Sequence, residues 1–345
     1  MKFNVFLNEY RLPAEWEQHE STWLTWPHNT DTWEHQLKDT QKAYIKFIHS
    51  ISKGEKVNII LTQNNISEVR DKLKKANTNL NQIIFHQWET NDSWIRDYGP
   101  DFLIGTKDKI ILNWKYNAWG QKYPPFDADN SIPLKIAEYL KLKHYSPDIV
   151  LEGGSFEPNG KGTILTTTNC LLNKNRNPHL TQKQIQSILE EYLQINNIIW
   201  LKDGIIGDDT DGHVDDISRF VNKNTILTCI EQNKQDENYT PLQKNLKLLN
   251  TARLENGKQA NIVELPMPAP FFFKNQRLPA SYANFYICNQ AVIVPIFNDS
   301  NDDKAIQILE SLFYDRKIIP IYSGDIIYGL GSFHCLSKHE PKHIN

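Results

Sequence analysis

A strand–turn–strand unit recurs along the chain, and this recurrence limits the possible folds more than any other feature of the sequence. Each unit opens with a polar residue, turns at Gly, Asn or Lys, and ends in an apolar strand. The clearest units cover residues 150–166, 212–228 and 283–294. Apolar residues at a 3.6-residue spacing predict helices between or after the units, at residues 181–193, 240–254 and 302–313. The pattern therefore predicts a protein built from similar strand and helix modules.

One polar residue marks each module, and the spacing of these markers indicates five modules. The markers are Asp97, Glu152, His213, Asn284 and Cys335, and the steps between them are 55, 61, 71 and 51 positions. Five modules in a ring would direct equivalent strand starts to a shared axis, so that residues distant in sequence meet in one pocket. Because strand–turn–strand units are common in proteins, the period alone does not establish the ring.

The first half of the chain contains further predicted elements. Predicted strands cover residues 21–27, 57–62, 82–85, 102–104 and 109–114, and predicted helices cover residues 31–52, 65–76 and 131–142. Asp31 is the candidate N-cap of the first of these helices. Residues 115–130 form a long loop rich in aromatic residues and proline, which we interpret as a candidate lid or substrate wall.

Composition and charge exclude several classes of protein. The chain has 345 residues and a net charge of −3, without a cluster of Lys and Arg, so nucleic acid is not an expected partner. No run of about 18 apolar residues is present, and we expect neither a transmembrane helix nor a membrane partner. The N-terminus lacks the apolar region of a signal peptide. We therefore expect a cytoplasmic protein. Its length is compatible with either one or two domains.

The four cysteines lie far apart in the sequence, which leaves no CxxC pair, and we expect free thiols. Cys229 and Cys288 lie in apolar runs and are predicted to be core residues. Cys335 follows the glycine-rich residues 328–331 and is a candidate nucleophile, because glycine leaves room for a ligand and the thiolate is a strong nucleophile. A buried cysteine on a terminal strand is the alternative interpretation.

The markers supply a thiol, an imidazole and several carboxylates, a set that suits nucleophilic attack on a cation. If they lie on a strand, His213 and Asp215 point to the same face. A planar guanidinium matches carboxylates through paired N–H···O bonds, so we expect Asp97 and Asp215 to hold it while the Cys335 thiolate attacks its carbon. His213 would then protonate departing ammonia and activate water, and Glu152 would position His213 and favour its charged form.

Each of these residues also has an ordinary structural interpretation. Asp97 and its neighbouring arginine fit a surface ion pair, Glu152 fits a cap on a bend, and His213 fits a buried core histidine. A zinc site from His213, Asp215 and Cys335 is conceivable, but no HxxH, HExxH or CxxC spacing supports it, and we expect no metal or cofactor. A Cys-His-Asp protease or transferase triad is a further alternative that leaves many carboxylates without a role.

Several segments match one known family in the same order. They are residues 10–16, 23–27, 94–100, 152–155, 170–178, 212–215, 279–286 and 334–335. With these segments the chain resembles the agmatine deiminase family, within the porphyromonas-type peptidylarginine deiminase group of the guanidino-modifying (pentein) superfamily. The matches include the specific run Trp-Ile-Arg-Asp-Tyr-Gly-Pro at residues 94–100 and cover most of the chain.

The resemblance implies an α/β fold, the five-bladed α/β propeller (pentein), built from pseudo-repeated strand-helix modules around a central active site. It implies a single catalytic domain over residues 1–345. It also implies a hydrolase of linear amidines without metal or cofactor, which converts agmatine and water to N-carbamoylputrescine and ammonia through a covalent cysteine intermediate. The implied setting is putrescine and polyamine biosynthesis.

The resemblance also assigns site residues by matching motif positions. It implies that Cys335 is the nucleophile, that His213 is the acid and base, and that Glu152 belongs to the catalytic group. Asp97 and Asp215 would hold the guanidinium. By its place in the motif we also expect Trp94 to line the site, where its ring would stack on the cation.

Two features of the sequence qualify this resemblance. Asp209 stands four residues before His213, where the family typically has Glu, so a shorter carboxylate would meet the distal ammonium of agmatine and change the preference for chain length. The glycine-rich approach to the nucleophile, residues 329–337, is less rich in glycine than is usual in the family. Residues 173–178 match the family well, but the sequence gives them no role beyond a loop.

Several alternatives share the reacting group or the fold. A deiminase of free arginine would need a cation for the α-carboxylate, for which Arg176 and Arg96 are candidates. A deiminase of peptidyl-arginine would be expected to carry a secretion signal and an extra domain. An amidinotransferase would need room for an acceptor amine, and a non-catalytic guanidine-binding protein would not need the complete set of site residues. The oligomeric state is open, and a homo-oligomer is compatible with the sequence.

Overall fold

The computed structural model describes residues 5–62 and 65–343. Over this part of the chain the strands form five mixed sheets and one separate two-stranded hairpin. Every sheet contains a central strand with an antiparallel neighbour on one side and a parallel neighbour on the other, and at least one helix joins the central and parallel strands. This is the five-bladed α/β propeller that the sequence predicts, and each sheet is one blade.

The blades are numbered in the chain order of their central strands. Blade 1 contains the strands Ser337–Pro341, His19–Thr25, Lys56–Ile60 and Ile83–His86. Blade 2 contains the strands Tyr10–Arg11, Asp101–Gly105, Lys109–Leu112 and His144–Tyr145. Blade 3 contains Phe156–Pro158, Thr163–Thr167 and Asn197–Leu201, and blade 4 contains Ser218–Asn222, Thr225–Ile230 and Asn261–Pro266. Blade 5 contains Tyr286–Ile287, Ala291–Ile296 and Lys317–Tyr322, and the separate hairpin pairs Phe271–Phe273 with Gln276–Leu278.

Each of the longer helices connects two strands of one blade. The longer α-helices are Leu37–Ile51, Ile66–Lys75, Ile132–Leu140, Gln182–Leu193, Tyr239–Leu249 and Asp302–Leu312. The short α-helices are Ile95–Tyr98, Ala118–Gln121, Asp127–Asn130 and Thr168–Leu171. The 3₁₀ helices are Val5–Glu9, Leu80–Gln82, Gly153–Ser155, Val214–Asp216 and Ile327–Gly329.

Apolar residues on one face of each long helix cover the sheets. The helix Leu37–Ile51 buries Tyr44, Phe47, Ile48 and Ile51, which recur at intervals of three or four residues, as an amphipathic helix requires. The predicted free thiols are confirmed, because all four cysteines are unpaired and buried. No helix in residues 5–62 or 65–343 combines the length and the apolar character needed to cross a membrane.

Each marker residue lies just before the antiparallel neighbour of a central strand, which we call the first strand of that blade. Asp97 precedes the strand Asp101–Gly105 of blade 2, and Glu152 precedes Phe156–Pro158 of blade 3. His213, Asn284 and Cys335 stand in the same relation to the first strands of blades 4, 5 and 1. The repeat that the sequence predicts is therefore confirmed, and it explains how polar residues from five modules approach one another.

Blade 1 is completed by two distant parts of the chain. The strand Ser337–Pro341 pairs antiparallel with His19–Thr25, and Ser337 lies opposite Leu24. Cys335 stands two residues before this closing strand, so the pairing that closes the ring also fixes the backbone next to the candidate nucleophile.

The prediction of a helix over residues 31–52 with Asp31 as its N-cap is wrong at its start. The helix begins at Leu37, and the preceding residues form turns. Trp33 is buried, and its indole nitrogen donates a hydrogen bond to the carbonyl of Ile326 at 3.0 Å. This contact with a distant segment holds the chain outside the helix, which a local apolar pattern does not reveal.

A buried carboxylate near the start of the chain connects four blades. Oε2 of Glu15 lies 2.7 Å from a guanidinium nitrogen of Arg96, which precedes blade 2. Oε1 of Glu15 lies 2.9 Å from a guanidinium nitrogen of Arg219 in blade 4. Glu15 accepts a hydrogen bond from the backbone of Ile287 in blade 5 at 2.9 Å, and it lies 2.9 Å from Nε2 of His334, before blade 1. Burial alone would raise the pKa of Glu15, but His334, Arg219 and Arg96 hold it well below its usual range. We call these four side chains, Glu15, Arg96, Arg219 and His334, the Glu15 network.

Replacing Glu15 by alanine should strongly destabilise the protein. The substitution leaves two arginines buried without their shared carboxylate, and breaking a buried ion pair on one side costs about 3–5 kcal/mol. We expect a loss of this size in the free energy of unfolding, measured by urea denaturation.

The matched control is Glu20→Ala, which breaks an exposed pair with Lys56 at 2.9 Å. Exposed pairs contribute about 0–1 kcal/mol, so this variant should unfold close to the wild type. If both variants lost the same free energy of unfolding, the Glu15 network would not stabilise the protein more than an exposed ion pair does.

Candidate active site

Cys335 lines a cavity of about 660 Å³, within the size range of small-molecule sites. Trp94, which also lines the cavity, explains why glycine lies close to Cys335 in the sequence. A Cβ on Gly331 would lie 2.5 Å from the Trp94 ring and 3.0 Å from Cβ of Cys335. The glycine therefore allows the indole and the thiol to lie side by side. Burial, followed by Asp215, Asp216 and Asp97, raises the pKa of the Cys335 thiol well above its usual value.

His213 lies at the start of a 3₁₀ helix, Val214–Asp216, so the prediction that it and Asp215 lie on a strand is wrong. Gly212 has a positive φ of 100°, and the backbone N–H of His213 donates to the side chains of Asp208 and Thr210, each at 3.1 Å. These local bonds turn the chain before the strand begins. The ring is still brought close to carboxylates: Nδ1 lies 4.0 Å from Oδ1 of Asp215.

Asp97 is buried and lines the cavity, so its interpretation as part of a surface ion pair is wrong. Its Oδ1 accepts a hydrogen bond from the backbone N–H of Gly154 at 2.9 Å, and its Oδ2 accepts one from the indole of Trp119 at 2.9 Å. Oδ1 also lies 3.6 Å from Nδ1 of His213. Burial raises the pKa of Asp97 to about 6, despite these hydrogen bonds.

Asp215 lies close to Cys335, the candidate nucleophile. Its Oδ2 is 3.8 Å from Sγ of Cys335 and 2.6 Å from Nδ1 of His334, whose other ring nitrogen faces Glu15. Its Oδ1 is buried without a hydrogen-bond partner. Burial and the neighbouring Asp97 raise the pKa of Asp215 well above its usual value. The site is thereby connected to the Glu15 network through one histidine.

Glu152 is buried close to His213 but makes no hydrogen bond to it. Its Oε1 accepts a bond from Nε of Arg176 at 2.6 Å, and its Oε2 has no partner. Glu152 favours the charged form of His213, as predicted. Burial lowers the pKa of His213 to about 4, although Glu152 acts in the opposite direction. His213 is therefore neutral in the free protein near neutral pH.

The loop at residues 173–178, which the sequence left without a role, holds two parts of the site together. Arg176 binds Glu152 and also donates to Asp211 at 2.6 Å and to the carbonyl of Thr210 at 2.9 Å. Sequence reasoning missed this arginine as a site residue and considered it only as a ligand for a substrate carboxylate. The available signal was an arginine inside a matched motif, but its partners lie in two other segments.

Two glycines allow the site groups to approach one another. A Cβ on Gly154 would lie 2.6 Å from Nδ1 of His213, 2.9 Å from Oδ1 of Asp97 and 3.0 Å from Oδ2 of Asp215. A Cβ on Gly153 would lie 2.1 Å from the carbonyl oxygen of the residue before Asp97. Glu152-Gly153-Gly154 is thus the segment around which the predicted site residues assemble.

The cavity is acidic, and residues 115–130 supply much of its wall. The aspartates that line it are Asp31, Asp92, Asp97, Asp129 and Asp209. Among the described lining residues the basic ones are His28 and Lys122, and Lys122 is 2.9 Å from Asp211. The phenol of Tyr123, within the loop, donates a hydrogen bond to Asp209. The loop is confirmed as a wall of the cavity, and its motion as a lid stays a prediction.

Two groups of buried side chains in the described residues have donor atoms close enough to share a metal ion. One combines Glu152, Cys170 and His213, and the other combines Asp215, Asp216 and Cys335, with all donor atoms in each group within 4.8 Å of one another. The zinc set considered from the sequence draws its members from both groups. Thiol, imidazole and carboxylate are all ligands that Zn²⁺ accepts, but His213, Asp215 and Cys335, the zinc set considered from the sequence, also belong to the predicted catalytic group.

Residues 11–341 match the model of the Porphyromonas-type peptidyl-arginine deiminase family. The chain belongs to this family. An agmatine deiminase of Pseudomonas aeruginosa is 34% identical over 356 residues, which cover 96% of this chain and 95% of that protein.

Two solved structures of agmatine deiminases resemble the fold throughout. The agmatine deiminase of Enterococcus faecalis has a TM-score of 0.92 at 31% identity and covers 98% of this chain and 97% of its own. A substrate-bound agmatine deiminase of C. jejuni has a TM-score of 0.89 at 35% identity and covers 97% of each chain. The likeness therefore extends over the whole deiminase fold.

A bound cation should lower the pKa of the Cys335 thiol. Burial and three carboxylates raise that pKa in the free protein, and a positive charge in the cavity offsets the carboxylates. We expect thiolate absorbance at 240 nm to appear at lower pH when an alkyl diamine is bound.

The Cys335→Ala variant supplies the baseline from the other three cysteines, and sodium chloride at equal ionic strength is the control for screening. An unchanged titration with the diamine, or the same shift with salt alone, would contradict the expected electrostatic effect.

Proposed function

We propose that this protein is an agmatine deiminase, which hydrolyses the guanidinium group of agmatine to give N-carbamoylputrescine and ammonia. The observation that carries the proposal is the convergence of Cys335, His213 and the carboxylates of Asp97, Glu152 and Asp215 from four blades beside one acidic cavity. Agmatine deiminases of 31–35% identity that match nearly the whole chain support it.

Substrate binding satisfies polar groups that are otherwise buried without partners. Oε2 of Glu152, Oδ1 of Asp215 and both ring nitrogens of His213 lack a hydrogen-bond partner within the protein. Leaving such groups unsatisfied is costly, and a guanidinium offers five N–H donors in one plane. We propose that Asp97 and Asp215 hold this plane and that the Trp94 ring, which lines the cavity, contacts the cation.

The reaction then proceeds through a covalent bond to sulfur. The neutral His213 accepts the thiol proton of Cys335 when the cation binds, and the thiolate attacks the guanidinium carbon. The tetrahedral adduct collapses as the C–N bond breaks, and His213 returns its proton to the departing ammonia. His213 next activates a water molecule that attacks the amidino carbon. The C–S bond breaks, the ureido product leaves and the thiol is restored.

The charges around the cavity favour agmatine over arginine. Arginine carries an α-carboxylate that needs a cation, but Arg176 and Arg96 are buried and bound to Glu152 and Glu15. Lys122 lines the cavity but is already paired with an aspartate. A second ammonium, as in agmatine, suits a cavity lined by five aspartates. We propose Asp209 as the group that binds it.

The cellular and structural setting is part of the same proposal. We infer a single catalytic domain over residues 1–345, supported by the closure of blade 1 between His19–Thr25 and Ser337–Pro341. Four free thiols support a reducing, cytoplasmic location. The expected partner is a small guanidine in putrescine biosynthesis, and a nucleic-acid partner is not expected at a net charge of −3.

The substrate is tested by measuring ammonia released from agmatine, free arginine and a blocked arginine peptide. We expect agmatine to have the highest kcat/KM, because it alone combines the guanidinium with a second cation and no carboxylate. Cys335→Ala should lose turnover while the fold, followed by circular dichroism, is unchanged, and Cys229→Ala is the control for loss of a buried thiol. Ammonia release by the Cys335→Ala variant would exclude the proposed nucleophile.

Asp209 is tested by the variant Asp209→Asn. Removing the charge opposite the ammonium should raise KM for agmatine about tenfold, the effect of a lost charged hydrogen bond, with a smaller change in kcat.

Tyr123→Phe is the matched control, because it breaks the bond between Tyr123 and Asp209 and leaves the charge in place. We expect its KM to stay near the wild-type value. If both variants raise KM equally, the hydrogen bond rather than the charge determines binding.

A further inference from the structure

His334 is a buried histidine beside the nucleophile, and the proposed mechanism gives it no role. It is 1% exposed and lies between two carboxylates, with Asp215 on one side and Glu15 on the other. Asp215 is proposed to hold the guanidinium, whereas Glu15 belongs to the network that connects the blades. The histidine therefore lies where the structural network meets the substrate site.

The contacts of the ring limit where its hydrogens are. Nδ1 lies 2.6 Å from Oδ2 of Asp215, so one hydrogen lies between these two atoms. Nε2 lies 2.9 Å from Oε2 of Glu15, which is ionised between Arg96 and Arg219. Because an ionised carboxylate repels a nitrogen lone pair, Nε2 carries a hydrogen of its own. The other hydrogen is bonded either to Nδ1 of the ring or to Oδ2 of Asp215.

Asp215 favours its neutral form in the free protein. Burial, followed by Asp97, raises the pKa of Asp215 well above its usual value, and Asp208 acts in the same direction. Two more acidic groups lie close by, because Sγ of Cys335 is 3.8 Å from Oδ2 and Asp216 has a carboxylate oxygen within 4.8 Å of a carboxylate oxygen of Asp215. A negative charge on Asp215 is therefore unfavourable until a cation is near.

His334 favours its neutral form as well. Burial, followed by Arg219 and Arg96, lowers the pKa of His334 well below its usual value, although Glu15 acts in the opposite direction. The same arginines favour an ionised Asp215, but burial outweighs them. In the free protein the shared hydrogen is therefore bonded to Asp215, whose carboxyl group donates it to an uncharged imidazole.

A guanidinium beside Asp215 reverses this preference. Oδ1 of Asp215 has no hydrogen-bond partner in the protein and is free to accept an N–H of the cation. The positive charge then favours the ionised carboxylate, and Nδ1 of His334, at 2.6 Å from Oδ2, is the base that takes the hydrogen. The imidazolium that forms faces Glu15, whose negative charge offsets it.

We propose that His334 is a positioning residue that takes the proton of Asp215 when a guanidinium binds. The proton moves from Oδ2 of Asp215 to Nδ1 of His334 and returns when the product leaves, so the carboxylate becomes charged without releasing a proton to solvent. The role rests on the proposed function and deepens it. A histidine with a purely structural role would keep the same hydrogens in both states.

The direct test is ¹⁵N NMR of the histidine rings in the full-length Cys335→Ala variant, which is expected to bind agmatine without turnover. Nδ1 of His334 should carry no hydrogen in the free protein and should gain one when agmatine binds. The additional substitution His334→Asn identifies the signals. His19, which is also buried and lies 3.0 Å from Glu55, is the internal control and should not change.

N-carbamoylputrescine is the control ligand, because it keeps the chain and the ammonium of agmatine but has an uncharged ureido group. It should leave Nδ1 of His334 without a hydrogen. The proposal would be overturned by a hydrogen on Nδ1 in the free protein, by an unchanged Nδ1 with agmatine bound, or by the same change with both ligands.

A second measurement counts the protons released when agmatine binds, by isothermal titration calorimetry in two buffers of different ionisation enthalpy. At pH 8 Asp97, whose pKa is about 6, is already ionised. His334→Phe in the Cys335→Ala background removes the acceptor, so binding should release about one proton more, and the affinity should rise about tenfold per pH unit. His19→Phe is the matched control and should leave the count unchanged. Equal counts with and without His334 would contradict the proposal.

Failure of the proposed function would give a different result. If agmatine neither binds nor releases ammonia, the proposed function is refuted, and methylguanidinium chloride replaces agmatine as the probe of the same carboxylate. A hydrogen gained by Nδ1 with methylguanidinium bound would keep the role of His334, and an unchanged Nδ1 would overturn it.

Discussion

The structure depends on the matching of buried charge at the centre of the five blades. Glu15 lies between Arg96 and Arg219, and His334 extends the same network to Asp215. Charges in a low-dielectric interior are stable only when each has its partner, so the segments that carry them have little freedom to move apart. The positions of the first strands of blades 1, 2 and 4 are fixed in this way, and the residues just before those strands form the site.

The site itself combines groups that oppose one another until a cation arrives. Asp97, Asp215 and Glu152 surround a thiol and an imidazole that are both uncharged in the free protein. A planar cation supplies the charge and the N–H donors that these buried atoms lack. We therefore expect cation binding and activation of the proposed nucleophile to be one electrostatic event, and a neutral small molecule would gain no reactivity from the same cavity. We expect this coupling to restrict the chemistry to cationic substrates.

The sequence predicts the blades and most of the site because both are encoded locally. The markers stand next to predicted strands. The motif residues Asp97, Glu152, His213 and Cys335 follow one another along the chain in the order of the family's motifs. What the sequence does not predict depends on contacts between distant segments. Trp33 binds a carbonyl almost three hundred residues away and delays the first long helix, and Arg176 joins two loops of the site.

The closing strand Ser337–Pro341 has a consequence for the order of events during translation. Cys335 reaches the ribosome exit only after every carboxylate of the site has been made, and its backbone is fixed only when the closing strand pairs with His19–Thr25. A nascent chain that lacks this strand can contain Cys335, but it does not have the closed ring. We therefore expect the complete site to form only after residues 337–341 have emerged.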